Sequence, residues 1–167
     1  MHTRNRALVS LAPIVILVLA LASMAAGGPR RNFRAHLAGR NEVPPVSTNA
    51  QGQAIFKLSQ DGTSLSFKLI VANIEDVTQA HIHCGAAGVN GPVVVFLYGL
   101  GPTVSPDGVL SEGVITQSNV IAADDSAACP DGLADFEELI AKMRSGNTYA
   151  NVHTIVNPGG EVRGQIR

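Results

Sequence analysis

The chain has 167 residues, 46% of them hydrophobic and 15% charged, with 12 Lys+Arg, 13 Asp+Glu and five histidines. That length suits one domain with a substantial core. A near-neutral balance, with no long basic block, gives no support to nucleic-acid binding through a positive field.

Arg4 and Arg6 precede a charge-free apolar run over residues 7–22, broken only by Ser10, which exits through Ser23-Met24-Ala25-Ala26-Gly27. A basic start, an apolar middle and a small-residue exit describe a secretory signal peptide over residues 1–26. Cleavage is expected after Ala25 or Ala26. An uncleaved anchor is the alternative, because the run is only slightly short of the ~17–25 residues that span a bilayer. Cleavage leaves about 140 residues, with ten cations against 13 acids. The expected location is secreted, periplasmic or cell-envelope, with no membrane span in the mature chain.

Residues 27–32 form a short lead-in. From Phe33 the pattern alternates, with Phe33, Ala35 and Leu37 on one face, until Gly39-Arg40-Asn41 breaks it. Glu42-Val43-Pro44-Pro45-Val46 reads as a rigid turn, since proline cannot sit in a central strand. Residues 53–59 alternate again through Ala54, Phe56 and Leu58. Asp61-Gly62-Thr63 signals a hairpin, and residues 65–72 form its second arm. Residues 73–79 read as a connection.

Ala80-His81-Ile82-His83-Cys84 reads as a strand. Side chains two apart on a strand share a face about 6–7 Å from each other, so His81 and His83 point the same way. A glycine-rich loop over residues 85–91 leads to a strand over 92–98. Its run Val93-Val94-Val95-Phe96-Leu97 lacks alternation and is expected to be covered on both faces. Another strand follows over 109–116, then a long irregular segment over 117–130.

One amphipathic helix is predicted over 133–144, with Leu133, Phe136, Ile140 and Met143 on one side. Asp131 is expected to cap it, with Lys142, Arg144 and Gly146 marking its end. Tyr149-Ala150-Asn151-Val152-His153-Thr154 is a strand with Tyr149, Asn151 and His153 on one face. Asn157-Pro158-Gly159-Gly160 turns the chain into a last strand over 161–167. Many short strands and one helix imply a mainly β protein: an antiparallel, Greek-key-like sandwich or barrel with one helical insertion near 133–144.

Two cysteines, Cys84 and Cys129, follow the signal segment. In an exported chain they are expected to pair. The alternative, Cys84 as a thiolate metal ligand beside His83, conflicts with strand alternation, which turns Cys84 away from the histidine face.

His81, His83 and His153 converge if their two strands are neighbours. Three imidazoles suit copper or zinc with an open fourth position. His36 on the first strand is a possible fourth ligand, or a solvent-facing residue. Glu161 and Arg163 are two apart on the last strand and read as an ion pair. They can also serve as an anion-binding arginine with Glu161 orienting it or a histidine, and Asn151 can hydrogen-bond a histidine. No lipase, P-loop, dinucleotide-binding or zincin motif occurs, so catalytic residues are not expected.

Four blocks occur in order: Gly39-Arg40-Asn41-Glu42-Val43-Pro44-Pro45-Val46; Ala80-His81-Ile82-His83 with Gly88-Val89-Asn90-Gly91-Pro92; Gly146-Asn147-Thr148-Tyr149-Ala150-Asn151-Val152-His153-Thr154; and Asn157-Pro158-Gly159-Gly160-Glu161-Val162-Arg163-Gly164-Gln165. Together they resemble the CHRD domain, a module named after chordin and found in many secreted bacterial proteins, here spanning residues 33–167. The resemblance implies an extracellular domain. Without chordin's cysteine-rich repeats it does not imply growth-factor antagonism. The His-x-His and Val-His strands also resemble copper-ligand segments of Cu/Zn superoxide dismutase, but the bridging histidine and zinc loop have no counterpart. The expected function is therefore transition-metal binding, with copper first. An adhesive or protein-binding module with an unknown protein partner stands second, and a dismutase-like enzyme third.

Overall fold

In β1 (Asn32–Ala38), Phe33, Ala35 and Leu37 turn inward while Asn32, Arg34 and His36 stay exposed, the signature of a strand with one wet face. The same alternation runs through β2 (Gln51–Leu58) and gives β3 (Leu65–Ala72) its buried Leu65, Leu69 and Val71. The remaining elements are β4 (Val77–Cys84), β5 (Val93–Tyr98), β6 (Gly108–Ile115), α1 (Phe136–Ser145), β7 (Thr148–Thr154) and β8 (Val162–Gln165). This computed structural model describes residues 30–99 and 101–167, so the expected signal segment lies outside the described residues.

The eight strands form one nearly closed, barrel-like sheet in the order β5-β4-β7-β8-β1-β2-β3-β6, and every pairing is antiparallel. Carried across the seam between β5 and β6, the order β3-β6-β5-β4 is a Greek key. Phe33, Phe56, Leu69, Ala80, Ile82 and Val152 belong to the core inside the barrel, and Leu139, Ile140 and Met143 of α1 pack against it. Among the described residues, no helix is long and apolar enough to cross a membrane.

Cys84 and Cys129 are joined in a fully buried disulfide, which pins the long segment before α1 to β4. The helix starts later than its periodicity predicted. Asp131 and Gly132 both take positive φ, 64° and 65°, in a turn that no helix can begin from. Leu133 instead bridges to Ala123, and Asp135 is the cap, its carboxylate accepting from the Glu138 N–H at 2.9 Å. The far end is as expected, with Gly146 left-handed at φ 74°.

Two strand readings also change. β4 begins at Val77, taking in residues read as connection. In β5, Val94, Val95 and Leu97 are buried but Phe96 is 48% exposed. The β4–β5 register shifts between Ala80 and His81 and again between Ile82 and His83. These irregularities displace the simple two-face pattern and turn Phe96 outward.

Candidate functional site

β7 lies beside β4 with His81 opposite Asn151 and His83 opposite Tyr149. Ala80, Ile82 and Cys84 occupy the barrel interior, so alternation places His81 and His83 on the outer face. The outer residues of β7 are Tyr149, Asn151 and His153. Outer faces of barrels are ordinarily wet, yet all seven residues of β7 are buried. Loops fold over this part of the wall.

The three imidazoles meet there. Ring centroids are 5.5 Å apart for His81–His83, 4.9 Å for His81–His153 and 6.2 Å for His83–His153. Each ring can offer one nitrogen such that the three lie within 4.8 Å of one another, an arrangement able to hold a metal ion. Phe96 sets its ring edge-on to His81 at 4.5 Å. Cys84 belongs to the other face, in the disulfide.

Two backbone carbonyls fix the ring orientations. Nδ1 of His83 donates to the Gly91 carbonyl at 2.8 Å, and Nδ1 of His153 donates to the Pro158 carbonyl at 2.9 Å. Both neutral rings then present a lone pair at Nε2. His81 Nδ1 is 3.1 Å from His153 Nε2, and Asn151 Oδ1 is 3.0 Å from that same nitrogen. His81 Nε2 and His83 Nε2 are buried without a hydrogen-bond partner.

Loop chemistry explains the first carbonyl. A Cβ at Gly91 would sit 1.7 Å from the Cys84 carbonyl oxygen, so only glycine lets the loop close onto β4. The Gly91 N–H donates to the Tyr149 hydroxyl at 3.2 Å, which ties the loop to β7 as well.

Burial sets the charge of the site. It pushes His81 down to about 3, helped by the neighbouring His153 and His83, and His83 down to about 4 against the pull of the Gly91 carbonyl. His153 is lowered for the same reason. The cluster is therefore neutral at pH 7, with Nε2 of His81 and of His83 left unpartnered.

Beside it lies a layer of stacked groups. Tyr149 packs parallel to His83 at 4.7 Å, and the Arg163 guanidinium carbon is 3.3 Å from the Tyr149 ring centroid. Arg163 donates to Asn90 Oδ1 at 2.9 Å and to the carbonyls of Val89 and Ala86 at 2.6 and 3.3 Å. The expected Glu161–Arg163 pair does not form. Glu161 precedes β8, and its carboxylate accepts from Thr48 and Thr154, each at 2.7 Å.

The acid near Arg163 is Glu42, from the proline-rich turn. Its Oε1 is buried without a partner, close to where a Cβ at Gly160 would stand. Burial pushes its carboxyl up to about 7 even though Arg163 pulls it down.

The structure thus brings His81, His83, His153 and Asn151 together and sets Arg163 behind Tyr149. His36 stands exposed on β1, outside the histidine cluster. Sequence reasoning gave no role to Glu42, Tyr149 or Phe96. Strand alternation had already put Tyr149 on the face of His153, whereas nothing local marks Glu42.

Searches of curated proteins and of solved structures return no match. The family model of the CHRD domain matches residues 33–166, the whole of the barrel from β1 to the end of β8, and the chain belongs to the CHRD domain family.

Proposed function

We propose that the protein is exported and that His81, His83 and His153 together hold one transition-metal ion, copper ahead of zinc. The observation that carries this reading is the pair of orphaned nitrogens, His81 Nε2 and His83 Nε2, buried beside a third imidazole. A buried polar atom left unpaired costs roughly 1–3 kcal/mol, and a bound ion satisfies it. Carbonyls that hold the Nδ1–H of a histidine are the usual outer support of a metal-bound ring.

Nitrogens around one tetrahedral ion at about 2.0–2.1 Å lie about 3.3 Å apart, so binding draws the three rings together. Neutral imidazoles favour copper over zinc on affinity, and three of them leave a position for water or a small ligand. Export rests on the apolar segment over residues 7–22 and on the buried disulfide, which suits an oxidising compartment.

The untagged protein, reconstituted separately with copper and with zinc, is expected to retain one ion per chain, copper more tightly. His81→Ala and His153→Ala should each lose it while keeping the β-rich circular dichroism spectrum. An absence of bound metal in every preparation would refute the assignment.

A further inference from the structure

Ten cations follow residue 26, and five of them gather on one side of the barrel. Arg34, Arg40, Arg163 and Arg167 line a cleft of about 600 Å³ together with His36 and Gln53. An adjoining cleft of about 560 Å³ shares Arg34 and Arg167 and adds Arg30. The one acidic side chain in either lining is Glu42, whose carboxyl burial pushes up to about 7. Among the described residues, the one cation–carboxylate pair within 4 Å joins Lys68 to Glu112, on another part of the sheet. None of the five arginines has a carboxylate within 4 Å.

Five guanidiniums with no carboxylate within 4 Å, gathered in one place on a chain of near-neutral formal charge, concentrate a positive potential there. The geometry is also rigid. Arg34 and Arg167 exchange backbone hydrogen bonds at 2.8 and 2.9 Å, so their side chains leave adjacent points of the wall. Arg163, 1% exposed, forms the floor. Three of its hydrogen bonds and the Tyr149 ring hold it, and the remaining N–H groups stay unspent. Such preorganisation lowers the ordering cost of binding.

The volume lies within the range of small-molecule sites, ~300–1,000 Å³. No Phe, Tyr or Trp lines the larger cleft, so it lacks the broad aromatic platforms on which nucleic-acid bases stack. Guanidinium forks match carboxylate and phosphate oxygens.

We propose that the cleft between β1, β8 and the Glu42 turn binds a small oxyanion of two or more negative charges, gripped by Arg34, Arg40 and Arg167 above the buried charge of Arg163. The site is separate from the histidine cluster and needs no metal.

The test uses chelator-stripped, dialysed protein, because a bound ion would itself attract such ligands. Pyrophosphate and citrate are titrated calorimetrically at low ionic strength. At least one is expected to bind with one-to-one stoichiometry. Affinity should weaken about tenfold for each of Arg34→Ala and Arg40→Ala, as for the loss of one charge-assisted contact. Both positions are exposed, and circular dichroism checks that the barrel persists. Lys68→Ala, which removes the same charge elsewhere, should leave binding unchanged. Absence of binding by both anions at millimolar concentration overturns the proposal. So does equal weakening in Lys68→Ala, or full affinity in the Arg34→Ala/Arg40→Ala double variant.

Discussion

Burial disfavours the charged form of any side chain, and at Glu42 it outweighs the attraction of Arg163, pushing the carboxyl up to about 7 from 4.5. The folded state therefore holds this proton more tightly than the unfolded chain. The stability it confers is complete below pH 4.5 and is lost as pH rises through about 7. Glu42→Gln keeps the shape and removes the titration. Relative to the variant, the wild type should lose up to about 3 kcal/mol between pH 4 and pH 8, read from urea unfolding at each pH. A difference that stays flat across that range would mean the carboxyl titrates as if exposed. No sequence signal announced this residue. His81 and His83 were legible because strand spacing alone puts them on one face, whereas Glu42 is brought beside Arg163 and Gly160 by a turn more than a hundred residues upstream of them.

Among the elements, the strands with one wet face were the easiest to read, because alternation in β1, β2 and β3 follows directly from burial on one side. β5 was harder. Its register shifts depend on how β4 is already irregular, which Val93-Val94-Val95-Phe96-Leu97 does not encode. The helix start was misplaced because Leu133 continues the apolar period while Asp131 and Gly132 have left helical geometry. The disulfide carries the next expectation. It closes 45 residues between β4 and the segment before α1, a loop for which chain entropy suggests about 4 kcal/mol. Replacing both cysteines by alanine should lower stability by roughly 2–5 kcal/mol. It should also expose residues 117–135 to limited proteolysis, while metal content per folded chain is unchanged, because Cys84 faces away from the imidazoles. Loss of metal in a variant that remains folded would show that the two faces of β4 are coupled.

At the scale of the whole barrel, the site exists because β7, late in the chain, inserts between β4 and β8. Strand order of this kind follows from long-range closure and leaves no local trace, so the sequence could state only that His153 would join the others if the strands were adjacent. Once adjacent, the three rings are packed neutral into a wall covered on both sides, and this makes the barrel acid-sensitive. The pKa values of His81, His83 and His153 all lie below the free value of 6.5, two of them at about 3 and about 4. The unfolded chain thus binds protons that the fold refuses. Stability is complete above pH 6.5 and is lost as pH falls toward 3–4. Glu42 acts in the opposite sense between pH 4.5 and 7, so the acid limb is best measured in the Glu42→Gln background. The chain has no tryptophan, and far-ultraviolet circular dichroism therefore serves as the probe. Metal-free Glu42→Gln protein should lose at least about 2 kcal/mol between pH 6.5 and pH 4. His81→Gln/His83→Gln, added to it, should flatten most of that slope. With an ion bound, protons must also displace the metal, so the limb should steepen further. An acid limb that is the same with and without the two histidines would show that the rings are hydrated, and the buried-cluster account would fail with it.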